Sequence, residues 1–379
     1  MTEAATSITL RKSPLDSAHV TAGATMVERD GWSIPANYGD VAKEYVAVCD
    51  GAGLIDLSPR GRLLVNGSEA ISFLNGLITN DMKTLGPNTW MPAAFPNVQG
   101  RLIASVRVIR LKDEGTGKTA CPTFLIDTEA VTHDRVLKTI ERFTLAGDFR
   151  VNDITSETAM LSVQGKKAAT IISSVLGDEA TNLTSNAVRQ TGGQQGAVAE
   201  VTIFHAAQTG EDGFDLIIGN DHATALWNAL QNAGAQPVGY DALEVLRIEA
   251  GVPRFGVDMD EANIVTETNL DDAVSYTKGC YIGQEIIARI KYRGHVAKKL
   301  SGLIFEGMVG IKTGALIKSI DDKEIGRITS VTHSPKLNQS IALGYLKYDY
   351  LAVGTRVKVV TDDRVVAAEV VELPFLRPN

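Results

Sequence analysis

Cysteine is scarce in this 379-residue chain, which has only Cys49, Cys121 and Cys280. Three scattered thiols exclude a disulfide framework. No CxxC pair occurs, so the chain alone cannot supply the four thiolates of a zinc ribbon or an ordinary iron–sulfur cluster, and no metal site of its own is expected. No apolar run reaches the roughly 18 residues that a transmembrane helix needs. The first residues, MTEAATSITLRKSPLD, lack a basic segment followed by an apolar stretch, so no secretory signal is expected and the reading is cytoplasmic. Basic residues are in deficit, 37 against 45 acidic, for a net charge of −8. That balance does not suit tight non-specific binding to phosphate backbones, and no direct nucleic-acid binding is expected. Neither a solenoid-period repeat nor a low-complexity segment is visible.

What is present describes an ordinary globular protein, 44% apolar and 22% charged, long enough for two or three domains. Gly61 to Gly67, Leu102 to Arg110 and Thr123 to Asp127 read as strands. After Ser68, a good N-cap, Ala70, Phe73, Leu74 and Leu77 follow helical spacing. A helix is expected from about Glu129 to Leu145, burying Val136, Ile140 and Phe143. Phe214 to Ile218 reads as a strand, followed by a helix capped by Asp221 that buries Ala223, Leu226, Trp227 and Leu230 and closes at Gly234. A further helix starts at Asp241, presents Leu243, Leu246, Arg247 and Ala250 on one face, and stops at Gly251 ahead of Pro253. From Lys299 the texture changes to short β-rich runs at the spacing of an antiparallel barrel or sandwich. The expected fold is α+β, with a body over 1–297 and a small all-β domain over 298–379. The body is read as two interleaved subdomains dividing near 150–160.

The densest chemical signal is Lys278 to Glu285, KGCYIGQE, followed by IIARIKYRGH. Two glycines bracket the Cys–Tyr pair and suggest a tight turn. Ile286, Ile287 and Ile290 recur at helical spacing, which places Cys280 just before a helix N-terminus, where a thiolate is favoured. Lys278, Arg289, Lys291 and Arg293 add positive charge. Such a thiol can be a nucleophile, a metal or cluster ligand, or a redox sensor. It can equally be a small packing residue, as Cys49 and Cys121 read, and the cations can be a solvated face.

KGCYIGQE, with Ala288-Arg289 and Arg293-Gly294, resembles the signature of YgfZ-type folate-binding proteins. These are relatives of the glycine-cleavage T-protein that support iron–sulfur cluster assembly or repair. The resemblance implies a T-protein-like body around a central folate cavity, a C-terminal antiparallel β-barrel, tetrahydrofolate as ligand, and iron–sulfur client or assembly proteins as partners. It assigns Cys280 and Lys278 the reactive role, with Cys280 at or near the outer edge of the cavity. Tyr281, Gln284 and Arg293 are placed on the folate-binding side.

Two more segments resemble the wider superfamily. TGEDGFD, Thr209 to Asp215, is similar to the glycine-rich turn whose carboxylate holds the pterin, and the resemblance gives that part to Glu211, with Asp212 and Asp215 as lesser candidates. A carboxylate suits the task, because a pterin offers an amino group beside a ring N–H, two parallel donors. Without the resemblance TGEDG reads as a hairpin turn. RIEAGVPRFG resembles the next helix and exit turn, and places Arg247, with Glu249 behind it, near the folate; alternatively, Arg247 complements its own helix end. The T-protein's aspartate pair is replaced by Ala104 and Ser105, so folate binding is expected to survive and the transfer chemistry to be lost. The leading expectation is therefore a tetrahydrofolate-binding accessory factor in iron–sulfur cluster assembly that is not itself an enzyme. The alternative is a tetrahydrofolate-dependent aminomethyltransferase or methyltransferase.

Overall fold

Side-chain alternation sets the layers of the body. In the strand Leu102–Arg110, Ala104, Val106 and Val108 join one apolar cluster while Ile109 joins another on the opposite face. In Gly213–Gly219, Phe214, Leu216 and Ile218 face one way and Ile217 the other. A computed structural model describes residues 10–111, 113, 121–142, 144, 147–184, 186–191, 200–361 and 364–376. Among the described residues the body holds a three-stranded sheet, in the order Arg11–Lys12, Trp32–Asn37, Thr25–Arg29, and two larger sheets. One has the order Thr89–Pro96, Leu102–Arg110, Thr123–Thr128, Gly61–Asn66, Arg150–Asp153. The other runs Val188–Thr191, Val201–His205, Gly213–Gly219, Thr158–Gln164, Gly53–Asp56, Gln236–Pro237.

Helices cover the outer faces. Ala70–Leu77 and His133–Glu141 bury Leu74, Leu77, Val136 and Ile140 on the five-stranded sheet. Ala168–Leu176 and Asn220–Asn232 do the same on the six-stranded sheet, with Ile172, Leu226, Trp227 and Leu230. A third cluster draws on both sheets, joining Ile109 and Leu125 to Ile55, Met160, Phe204 and Ile217. It also takes Tyr45 and Val48 of helix Val41–Asp50 and Leu246 of helix Tyr240–Glu249. The inner faces of the sheets therefore meet, and any polar residue at an inner-face position lies between them.

The tail closes into a six-stranded antiparallel barrel whose strands run from Lys298 to Val371, so the α+β reading with a C-terminal barrel holds. Leu303, Phe305, Ile317, Ile328 and Val359 belong to its own core. Leu300, Ile341, Leu343 and Tyr345 cluster instead with Ile248 of helix Tyr240–Glu249, which joins barrel to body.

Most expected elements form, and the differences lie at their ends. Ser68 does not cap Ala70–Leu77: its backbone N and its hydroxyl both donate to Asp148 Oδ2, and the residue at the cap position is Glu69. Asp221 lies in the first turn of its helix, behind Gly219 as N-cap. The stretch expected as one helix from Glu129 is a 3-10 turn, Ala130–Thr132, followed by His133–Glu141; Phe143 and Leu145 lie outside the described residues. Cys49 is buried in a helix, as a packing residue should be.

Candidate functional site

The two sheets face each other across charge as well as apolar surface. Arg107 occupies the inner face of Leu102–Arg110, opposite Asp127 of the neighbouring strand in register. Asp215 is on the inner face of the other sheet. Asp127 accepts two bonds from Arg60, from Nε and Nη2 at 2.7 Å each, and one from Arg107 Nε at 2.6 Å. Arg107 Nη1 crosses to Asp215 Oδ2 at 2.5 Å, and Gln208 Nε2 donates to the same oxygen at 3.1 Å. Both carboxylates are fully buried. Burial alone would raise the Asp127 carboxyl, but the guanidiniums of Arg107 and Arg60 outweigh it and hold the group well below the usual carboxylate range. Among the described residues two atoms of this network stay buried without a hydrogen bond: Asp215 Oδ1, an acceptor, and Arg107 Nη2, a donor.

Arg60 and Gln208 also line a cavity of about 150 Å³, together with Glu129, Tyr240, Glu244 and Arg247. Glu129 is held by one hydrogen bond, from the Phe255 backbone N at 3.3 Å to Oε1, and burial pushes its carboxyl up to about 7. The Tyr240 hydroxyl donates to the Asp56 carbonyl at 3.1 Å, and burial raises its pKa.

The residues singled out from sequence fall in three places. Arg247 lines this cavity, but its guanidinium is committed elsewhere. Nη1 bonds Asp258 at 2.6 Å, and Nη2 bonds Glu244 and the Ser330 hydroxyl of the barrel, leaving only Nε without a partner. Asp258 in turn accepts from Thr329 and Ser330, so Arg247 and Asp258 fasten the barrel to the helix. Glu249, next along, accepts from the Tyr45 hydroxyl at 2.8 Å and from Ser334.

Glu211 lies apart, in a second cavity of about 280 Å³, where it accepts from Lys336 Nζ at 2.7 Å. Asp212 lines the same cavity and is paired with His205 Nε2 at 2.5 Å. Of the carboxylates in TGEDGFD, Asp215 alone belongs to the buried inter-sheet network.

The KGCYIGQE residues form the third group and line neither cavity. Lys278 is buried and its ammonium donates to the carbonyls of Asn75 at 2.7 Å, Ile78 at 3.0 Å and Asn80 at 2.7 Å. Burial lowers its pKa to about 8. This amine ties the turn to the loop after helix Ala70–Leu77 and stands over the Tyr281 ring at 4.9 Å. The buried Tyr281 packs with Ala94, Leu102, Phe255 and Ile287. Gln284 begins helix Gln284–Arg293, and Arg293 ends it, exposed. A tight turn is present at Gly283, where φ is +78° and an added Cβ would lie 2.4 Å from the Asn97 carbonyl. Gly279 has open space instead. Cys280 is exposed.

Comparison with known proteins places the whole chain. Residues 15–278 match the GCVT N-terminal domain, and residues 298–376 match the glycine cleavage T-protein C-terminal barrel domain. A protein named aminomethyltransferase from Rubrobacter xylanophilus is 31% identical over 370 residues, covering 97% of this chain and 95% of its own. This chain belongs to the glycine cleavage T-protein family. Another relative, from Halothermothrix orenii and also named aminomethyltransferase, is 30% identical and covers 97% of this chain and 100% of its own. The T-protein fold is shared with the crystal structure of glycine cleavage system aminomethyltransferase T from Bartonella henselae, at a TM-score of 0.86 and 24% identity over 97% of this chain and 98% of that one.

Within this T-protein frame, Arg60, Arg107, Asp127 and Glu129 were not singled out from sequence. A signal for two of them exists: Arg107 in LIASVRVIR and Asp127 in TFLID are charges inside otherwise apolar strands, which are stable there only when paired.

Proposed function

We propose that this T-protein family member binds tetrahydrofolate in the cavity lined by Arg60, Glu129 and Gln208, with the Asp215–Arg107 pair behind the Gln208 wall, and acts as a folate-dependent aminomethyltransferase-type protein. The observation that carries the reading is the buried Asp215–Arg107 pair, with one acceptor and one donor left over beside Gln208 of the cavity wall. The pair fits a pterin by donor type: Asp215 Oδ1 can accept from its amino group or ring N–H, and Arg107 Nη2 can donate to its ring carbonyl. The pterin role passes on this ground from Glu211, already paired with Lys336, to Asp215. Bound there, tetrahydrofolate supplies the nitrogen atoms that take up the one-carbon unit. The sequence reading put an iron–sulfur accessory role first; relatives named aminomethyltransferase across 97% of the chain favour the transferase instead.

Titration with tetrahydrofolate tests the ligand: Asp215→Asn should weaken binding roughly tenfold or more, as loss of a charged hydrogen bond does, while Glu211→Gln leaves it unchanged. Formation of methylene-tetrahydrofolate from an aminomethylated lipoyl carrier tests the reaction. Folate binding without that product would remove the transferase and keep the ligand.

One observation supports a second reading. Cys280 is exposed, outside both of these cavities, in the segment that resembles the YgfZ-type signature. A cluster met by that thiol would be shared with a client or assembly protein. Cys280→Ser should then abolish rescue of a strain defective in cluster enzymes while tetrahydrofolate still binds, and full rescue by this variant would end the reading.

A further inference from the structure

The strand Thr123–Thr128 carries its inner-face charges one step past its last pairing. Arg107 faces Asp127, and Val106 faces Thr128. Continued by one residue, this register sets Ser105 opposite Glu129, whose backbone is still extended at φ −65°, ψ 147°. Side chains at directly opposed positions of an antiparallel pair stand about 5 Å apart on the same face. Glu129 is thus the next inner-face residue after Asp127, with an uncharged serine as its neighbour. Where Asp127 is clasped by two arginines, Glu129 has no ion pair and no bond to Oε2 among the described residues, and it lines the cavity. A cavity-lining carboxyl with a spare oxygen is an acceptor in want of a donor.

We propose that Glu129 is the carboxylate that receives an N–H of the reduced pterin, supplied from the strand beside Ser105. This rests on the folate reading above and assigns a second anchor, distinct from Asp215. The charged groups facing Glu129 are Asp127 and Arg60 on its own side, Arg29 and Asp30 from the turn between the strands Thr25–Arg29 and Trp32–Asn37, and Glu244, Arg247 and Arg254 across the cavity. Arg60 and Arg247 have raised pKa values and Asp127 a lowered one, each held charged by its partner, so these three do not titrate near neutrality. Glu129, pushed up to about 7, does. Its ionised form is the better acceptor, so affinity should rise as the pH climbs through 7.

The test is tetrahydrofolate binding by the full chain and by Glu129→Gln from pH 5.5 to 8.5, with circular dichroism to confirm folding. The wild type should gain roughly tenfold in affinity across this range, the value of a hydrogen bond to a charged group. Glu129→Gln should match it at pH 5.5 and stay flat. Ionisation of the ligand itself would appear in both proteins and is thereby separated. An unchanged pH profile in Glu129→Gln, with binding intact, overturns the assignment. Absence of binding by the wild type at every pH overturns the folate reading itself.

Discussion

Replacing Arg107 by methionine removes the one side chain that, among the described residues, bonds both sheets' buried carboxylates. Asp127 keeps both bonds from Arg60, but Asp215 is left with the Gln208 amide alone. Both aspartates are fully buried and Arg107 is 11% exposed, so the stranded carboxylate has little access to bulk water. Breaking a buried pair by removing one partner costs about 3–5 kcal/mol. At about 2.1 cal/mol/K per residue the chain's unfolding entropy is roughly 0.8 kcal/mol/K, so thermal unfolding should fall by about 4–6 °C at pH 7.5. The penalty is that of a buried charge left without its partner. Arg107→Met with Asp215→Leu removes the stranded charge and should recover most of the loss, because apolar replacements of buried pairs are commonly neutral or better. Melting curves followed by circular dichroism at pH 7.5 measure all of this. A single variant within about 1 °C of wild type at pH 7.5, or a double variant no better than the single, would refute the account of the junction.

Glu129→Gln should stabilise the protein at pH 8 and leave it unchanged at pH 4. The folded state holds the Glu129 proton up to about 7 and the unfolded chain only to about 4.5, so wild-type stability declines across that window. At about 1.36 kcal/mol per pH unit the gain on substitution is roughly 3 kcal/mol, read from urea unfolding. Lys278→Met strands the carbonyls of Asn75, Ile78 and Asn80 and should cost roughly 2–4 kcal/mol in the same assay, whereas the exposed Cys280→Ser should cost less than about 0.5 kcal/mol.

Elements whose signal is local were legible in the sequence. Ala223, Leu226, Trp227 and Leu230 repeat at helical spacing and are all buried on one helix face. The change of texture after Lys299 marks strands that do close into a barrel. Helix starts were harder, because a cap depends on what else its oxygen can reach. Ser68 finds Asp148, 80 residues away, while the unremarked Asp40 caps Val41–Asp50 by accepting from Ala42 and Lys43. The candidate site was the least legible for the same reason. Arg107, Asp127 and Asp215 are far apart in the chain and meet only when two sheets meet, so no window of sequence contains them. Lys278 shows the converse. A cation two residues from a cysteine suggests a local partner, yet its three acceptors lie about 200 residues earlier.

The strand order of the six-stranded sheet bears on how the chain is made. Gly53–Asp56 sits between Thr158–Gln164 and Gln236–Pro237 and pairs with no strand nearer in sequence. A growing chain that has just released this strand must wait for roughly 100 further residues before its first neighbour exists, about 5–20 s at ordinary synthesis rates. During that interval Leu54 and Ile55, fully buried in the finished protein, have no sheet to enter. A fragment that stops before residue 158 is left in that condition for good. The segment from 53 to 56 is therefore the part of this protein for which a ribosome-associated chaperone has the longest use.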